Sequence, residues 1–295
     1  MEEEIELHYS PSRWTVATSP EEAINQHITD VTRASEAAKE KVPHLADLQY
    51  GPRDKQYCDL YGTDLPEDSP MFVYIHGGYW QMLSKDVSAY PVIPLWQAGI
   101  RTVIVGYDLT PQVSLDTIVE EIRELAIYVL EMAKENESRG VWFGGHSAGA
   151  HLASFLLQSD WFYSLEPQLS CRMKGLVLIS GIYDLTPLIY TSNNDALQLD
   201  RKSALKLSPF FNLVLTQQET NVKVLLVVGE YDSPTFHGQT KSFSQLLKRK
   251  KIGHEVVEIP NLDHFTVVTS LQDDTSFLAQ KLVSLIVPNK EIINI

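Results

Sequence analysis

Short apolar runs, spaced by helical patterns, constrain this chain more than any other feature. FVYIHGG (72–78), TVIVGYD (102–108), VWFGGHS (141–147), LVLISGIYD (176–184) and VLLVVGEYD (224–232) are β-branched and apolar at nearly every position. Each ends in Gly, Asp or Ser, and HEVVEIP (254–260) reads as a last strand. A strand with one wet face alternates apolar and polar residues. A run without alternation is covered on both faces, as in a parallel sheet between helices. Between the runs, Leu115, Ile118, Val119, Ile122, Leu125, Ala126, Val129, Leu130 and Ala133 follow the i, i+3, i+4, i+7 rule of an amphipathic helix. Segments 235–251 and 276–287 carry looser helical patterns. The alternation predicts one α/β domain over residues 1–295, with a mostly parallel central sheet and helices on both faces.

Two pieces fall outside that alternation. Residues 20–41 form a polar helix candidate within an N-terminal segment, 1–50, and residues 185–220 form a long excursion between two strands. Long insertions at strand C-termini usually cover or line a site, so both pieces are expected to form a small cap.

The net charge of −14 repels nucleic acid and anionic membrane alike, so neither is an expected partner. The acidic start MEEEIELHYS lacks the apolar core of a secretory signal, and no run is long enough to span a bilayer. Two cysteines, Cys58 and Cys171, form no disulfide framework. A cytoplasmic location is expected, with nuclear access and a homodimer left open.

GGHSAGAH (144–151) sets one serine between two histidines. Gly145-His146-Ser147-Ala148-Gly149 fits G-x-S-x-G, between a strand and a helix, where the pattern is informative. The sharp turn brings two backbones together and leaves no room for Cβ atoms at the glycines. It also holds the serine at the positive end of a helix, where developing negative charge is favoured. His146 is expected to point away from Ser147 Oγ, and His151 to lie one turn along the helix beneath it. Neither reaches the serine as a base must. Both read as partly buried structural histidines with satisfied ring nitrogens.

A base from a later loop fits the topology better, in the order serine, acid, histidine. Asp232 follows the strand VLLVVGEY and His264, in LDHF, follows HEVVEIP, both at strand C-termini where open α/β sheets hold ligands. His264 would take the Ser147 proton, and Asp232 would hold its tautomer. Asp184 is the rival acid; Asp108 comes before the serine, and Asp263 adjoins His264 too closely to face it well. Surface or capping roles suffice for His8, His27, His44, His237 and His254. His76-Gly77-Gly78-Tyr79-Trp80 follows the strand FVYI. Its glycine N–H groups, with that of Ala148, supply an oxyanion hole.

Together HGGYW (76–80), GGHSAGAHLA (144–153), SGIYDLTPLIYTSNNDALQL (180–199), GEYDSPTFH (229–237) and LDHF (262–265) resemble the animal kynurenine formamidase (arylformamidase) family, in the esterase/lipase branch of the α/β-hydrolases. YSPSRW (9–14) is also similar to that family, so the likeness runs through nearly the whole chain. It implies an α/β-hydrolase fold and hydrolysis of N-formyl-L-kynurenine to formate and L-kynurenine. The family's triad falls on Ser147, Asp232 and His264, and its oxyanion motif on residues 76–80. Tyr79 stands where broader esterases carry a third glycine.

An aryl formamide, the implied small-molecule substrate, has a small acyl group and a weakly basic aniline leaving group. Tyr79, Trp80, Tyr107, Tyr183 and Phe265 lie near strand ends or catalytic loops and are candidates for an aromatic wall. No HExxH or clustered ligand spacing appears, so no metal and no other cofactor is expected. A general carboxylesterase of small acyl esters shares every catalytic residue and differs only in the pocket. A non-catalytic hydrolase-fold binder would usually have a damaged triad, and here all three residues are present.

Overall fold

The computed structural model describes residues 2–16, 19–213 and 221–288. Residues 214–220, the end of the predicted excursion, lie outside them. Among the described residues eight strands form one sheet in the order β1-β2-β4-β3-β5-β6-β7-β8. They are β1 His44–Gln49, β2 Tyr57–Tyr61, β3 Met71–Ile75, β4 Arg101–Val105, β5 Val141–His146, β6 Met173–Ile179, β7 Lys223–Gly229 and β8 His254–Ile259. From β4 to β8 every pairing is parallel, whereas β1–β2 and β2–β4 are antiparallel.

Alternate residues of each central strand enter two separate cores. Val73, Ile75, Phe143 and Leu226 pack on one face, with the helices Leu115–Glu135 and Ala148–Ser154. Phe72, Tyr74, Trp142 and Leu225 pack on the other, with the helices Val92–Gln97 and Phe277–Ile286. This is why the runs are apolar throughout: both sides of the pleat are dry. Strands β1 and β2 were not anticipated. HLADLQ is an edge strand with mostly exposed side chains, and it carries no apolar period to read.

The two segments expected to form a cap carry helices among their described residues, besides β1. Residues Glu2–His8 form a short helix and Pro20–Lys41 a long one, started by Ser19 accepting from Glu22 N. The excursion breaks into the short turns Thr186–Tyr190, Asn194–Leu197, Arg201–Lys206 and Pro209–Asn212. The strands deliver the singled-out residues to one edge of the sheet. HGGYW leaves the C-terminal end of β3, Ser147 that of β5, Asp232 that of β7 and His264 that of β8.

Candidate active site

Ser147 occupies a backbone conformation few L-residues adopt, φ 54° and ψ −115°. Its N–H donates to Ile179 O at 2.8 Å, which ties the turn to β6. The flanking glycines are sterically required. A Cβ on Gly149 would lie 2.0 Å from Ile75 O, and one on Gly145 would lie 2.4 Å from Gly149 C. The close packing of β3, β5 and the following helix therefore forces the elbow, and the elbow lifts the serine.

Asp232 and His264 meet as the sequence suggested. His264 Nδ1 lies 3.1 and 3.0 Å from the two Asp232 oxygens, so its N–H donates to the carboxylate. Oδ1 of Asp232 also accepts from Ser233 N at 2.8 Å. The loops that carry Asp232 and His264 are tied together, with Tyr231 N donating to Leu262 O at 2.9 Å. With Nδ1 protonated, Nε2 of His264 is left as the acceptor. Ser147, Asp232 and His264 are all nearly buried, at 3, 4 and 3% exposure. Among the described residues Ser147 Oγ makes no hydrogen bond. The rival acid Asp184 turns its Oδ1 to Thr186 N and Oγ1, at 2.8 and 2.6 Å, where it caps the excursion's first turn.

Among the described residues the N–H groups of Gly77, Gly78 and Ala148 have no acceptor. A Cβ on Gly77 would approach His146 O at 2.9 Å and Ser147 Cβ at 3.4 Å, so this loop lies directly against the elbow. Gly78 sits at φ 103°, and Tyr79 and Trp80 continue at positive φ. Tyr107 supports the loop from behind. It stacks on His76 at 4.3 Å, and its hydroxyl donates to His76 O at 2.8 Å.

The histidines divide by partner. His146 turns Nε2 to the backbone carbonyl of His264 at 2.8 Å, so it braces the loop of the proposed base. Sequence reasoning gives it a structural role but no partner, because the partner is 118 residues away. His151 donates from Nε2 to Leu207 O at 2.8 Å and meets the Trp80 ring edge-on at 4.8 Å. Its Nδ1 has no partner among the described residues, which corrects the expectation of two satisfied nitrogens. Burial pushes His76 and His151 down to about 4 and His146 well below its ordinary value, so all three are neutral near pH 7. His27 is also buried, not superficial, and packs on Phe265 at 5.1 Å.

The aromatic wall needs correction at three positions: Tyr107, already placed behind the His76 loop, is 2% exposed, and two other rings are sealed as well. Trp80 is 0% exposed, and Tyr183 is 1% exposed and stacked on Phe243 at 4.1 Å. Neither presents surface to a substrate, because the apolar ring was worth more in the core than at the rim. Tyr79 and Phe265 remain half-buried; Tyr79 OH donates to Tyr9 O at 2.6 Å. No group of three or more His, Cys, Asp or Glu among the described residues is arranged to hold a metal ion.

A sequence profile of the alpha/beta hydrolase fold matches residues 72–268. Kynurenine formamidase of Salmo salar is 35% identical over 289 residues, covering 96% of each chain. The chain belongs to the kynurenine formamidase family. Kynurenine formamidase of Danio rerio is 33% identical over 96% of each chain. An esterase from the archaeon Pyrobaculum calidifontis shares the fold, with TM-score 0.67 at 19% identity over 89% of this chain and 90% of that one. The α/β-hydrolase architecture is thus common to a wide set of enzymes, and the formamidase likeness is carried by the sequence.

Proposed function

We propose that this member of the kynurenine formamidase family hydrolyses N-formyl-L-kynurenine to L-kynurenine and formate through an acyl-enzyme on Ser147. His264 Nε2 takes the hydroxyl proton as Oγ attacks the formyl carbon. The oxygen that becomes negative is met by the N–H groups of Gly77, Gly78 and Ala148. His264 then returns the proton to the aniline nitrogen, the C–N bond breaks, and L-kynurenine leaves. Water attacks the formyl-serine with His264 again as base, and formate is released. Each oxyanion donor contributes about 10²–10³ in rate in enzymes of this type. Asp232 keeps the imidazole in the required tautomer and stabilises its charged form.

The observation that carries this reading is the Asp232–His264 pair, 3.0 Å apart, on a loop whose His264 carbonyl meets His146, the residue before a serine held at φ 54°. Tyr79 is proposed to limit the acyl side to short groups, and Phe265 to contact the aromatic leaving group. The sequence relatives named kynurenine formamidase support the choice of substrate. Purified protein assayed on N-formyl-L-kynurenine and on acetyl, butyryl and octanoyl aryl esters tests it. The expected kcat/KM falls steeply with acyl length, by about 1–3 kcal/mol for each methylene that finds no room. A profile that is flat, or rises toward octanoyl, overturns the formamidase reading in favour of a general esterase.

The cap of residues 1–50 and 185–220 on a single domain is proposed on the same basis. So is a cytoplasmic location with neither nucleic acid nor membrane as partner. Cys58 and Cys171 are both free, which agrees with a reducing compartment. No helix among the described residues is long and apolar enough to cross a membrane.

A further inference from the structure

A buried carboxylate with no part in the reaction sits one residue before the base. Asp263 is 1% exposed, and its two oxygens serve different parts of the chain. Oδ1 accepts from Phe265 N at 3.0 Å, Thr266 N at 2.8 Å and Thr266 Oγ1 at 2.8 Å, so it shapes the turn that presents His264. Oδ2 accepts from Thr15 Oγ1 at 2.5 Å and Val16 N at 3.2 Å, in the N-terminal segment. Burial opposes the charge, yet hydrogen bonds from Thr15, Thr266 and Val16 hold the carboxyl below its ordinary range.

The same segment reaches the other catalytic loops. Tyr79, next to the oxyanion glycines, donates to Tyr9 O at 2.6 Å. Ser233, next to Asp232, donates from Oγ to His8 O at 2.7 Å. In the excursion, Ser192 donates from N and Oγ to the Glu6 carboxylate at 2.7 and 2.6 Å. Residues 6–16 thus form a strap bonded beside the oxyanion glycines, beside Asp232 and beside His264.

We propose that Asp263 is a positioning residue, which couples the docked strap to the orientation of the His264 imidazole. The proposal rests on His264 being the base. Without its strap donors, Oδ2 is a buried, under-bonded anion, and the side chain turns toward water. The 263–266 turn then follows, because Oδ1 holds it, and Nε2 of His264 moves off line. A displacement of about 1 Å is enough to lower turnover by about 10²-fold.

Thr15→Val removes one strap donor without touching the turn, and Thr15→Ser keeps it. The variants are compared with Asp263→Asn and His264→Ala in kcat, KM, Ser147 labelling by a fluorophosphonate, and hydrogen exchange of residues 5–16. Thr15→Val is expected to raise exchange and to lower both kcat and labelling by about tenfold, with KM within about twofold. Thr15→Ser should restore all three. Asp263→Asn should lose about 10²-fold in kcat, since its amide cannot accept on both sides. Wild-type kcat in Thr15→Val, whether or not exchange rises, overturns the proposal, as does a change in KM alone. Labelling that survives in His264→Ala instead overturns the assignment of the base, and this outcome is separable from the first.

Discussion

At the scale of single residues, the site depends on positions where one atom more or fewer changes the geometry. Gly149 is the sharpest case, because a Cβ there would sit 2.0 Å from Ile75 O and 2.6 Å from His76 O. Backbone on both sides leaves nothing flexible to move. Gly149→Ala is expected to abolish activity and lower the thermal midpoint by several degrees, measured by calorimetry beside an assay. The two histidines of GGHSAGAH should separate. His146→Ala frees the His264 carbonyl and should lower kcat by about tenfold, whereas His151→Ala should act on stability and leave kcat near wild type. If the two variants behaved alike in kcat, the brace on the His264 loop would be of no account. The motif G-x-S-x-G was legible from spacing because glycine is demanded locally. The His146 contact was not legible, since it depends on where a loop 118 residues on comes to rest.

Among the elements, the helix Leu115–Glu135 shows how much a clean pattern determines. Its buried positions include the nine that the i, i+3, i+4 spacing selected, with Glu121 added. Glu121 is buried because its Oε2 accepts from Asp108 N at 2.9 Å, a partner that no periodicity announces. Leu125 is 0% exposed, so Leu125→Ala should destabilise by about 2–5 kcal/mol, read from urea midpoints. Ser114 caps the same helix by accepting from Thr117 N, and Ser114→Ala should remove only about 1 kcal/mol. A larger loss at the exposed cap than at the core leucine would contradict this account of the helix. Strand β1 is the converse case: its exposed side chains left no period, and its pairing with β2 alone makes it a strand.

For the whole molecule, several buried histidines make folding sensitive to acid. Burial pushes His27, His76 and His151 down to about 4 in the folded protein, while the unfolded chain takes up protons near an ordinary histidine value of about 6.5. The unfolded state therefore binds more protons between those limits. Stability is full above pH about 6.5 and is lost as pH falls toward 4, by on the order of 3 kcal/mol for each such group. Urea midpoints should drop steadily from pH 7 to pH 4.5. A level midpoint over that range would mean that these rings take up protons without leaving their sites.

What the sequence determined by itself is what short-range chemistry controls. The apolar runs required a sheet covered on both faces, the glycines required an elbow at Ser147, and the chain order of Ser147, Asp232 and His264 singled out a triad for testing. Only the tertiary structure decided which aromatic rings are sealed in the core, that Asp184 caps a turn, and that residues 6–16 cross the loops at the sheet edge. Those outcomes rest on contacts between segments up to 248 residues apart, and the burial of a side chain depends on what folds over it. Trp80 and Tyr183 looked like rim residues because each follows a strand. They are core residues because other parts of the chain close over them.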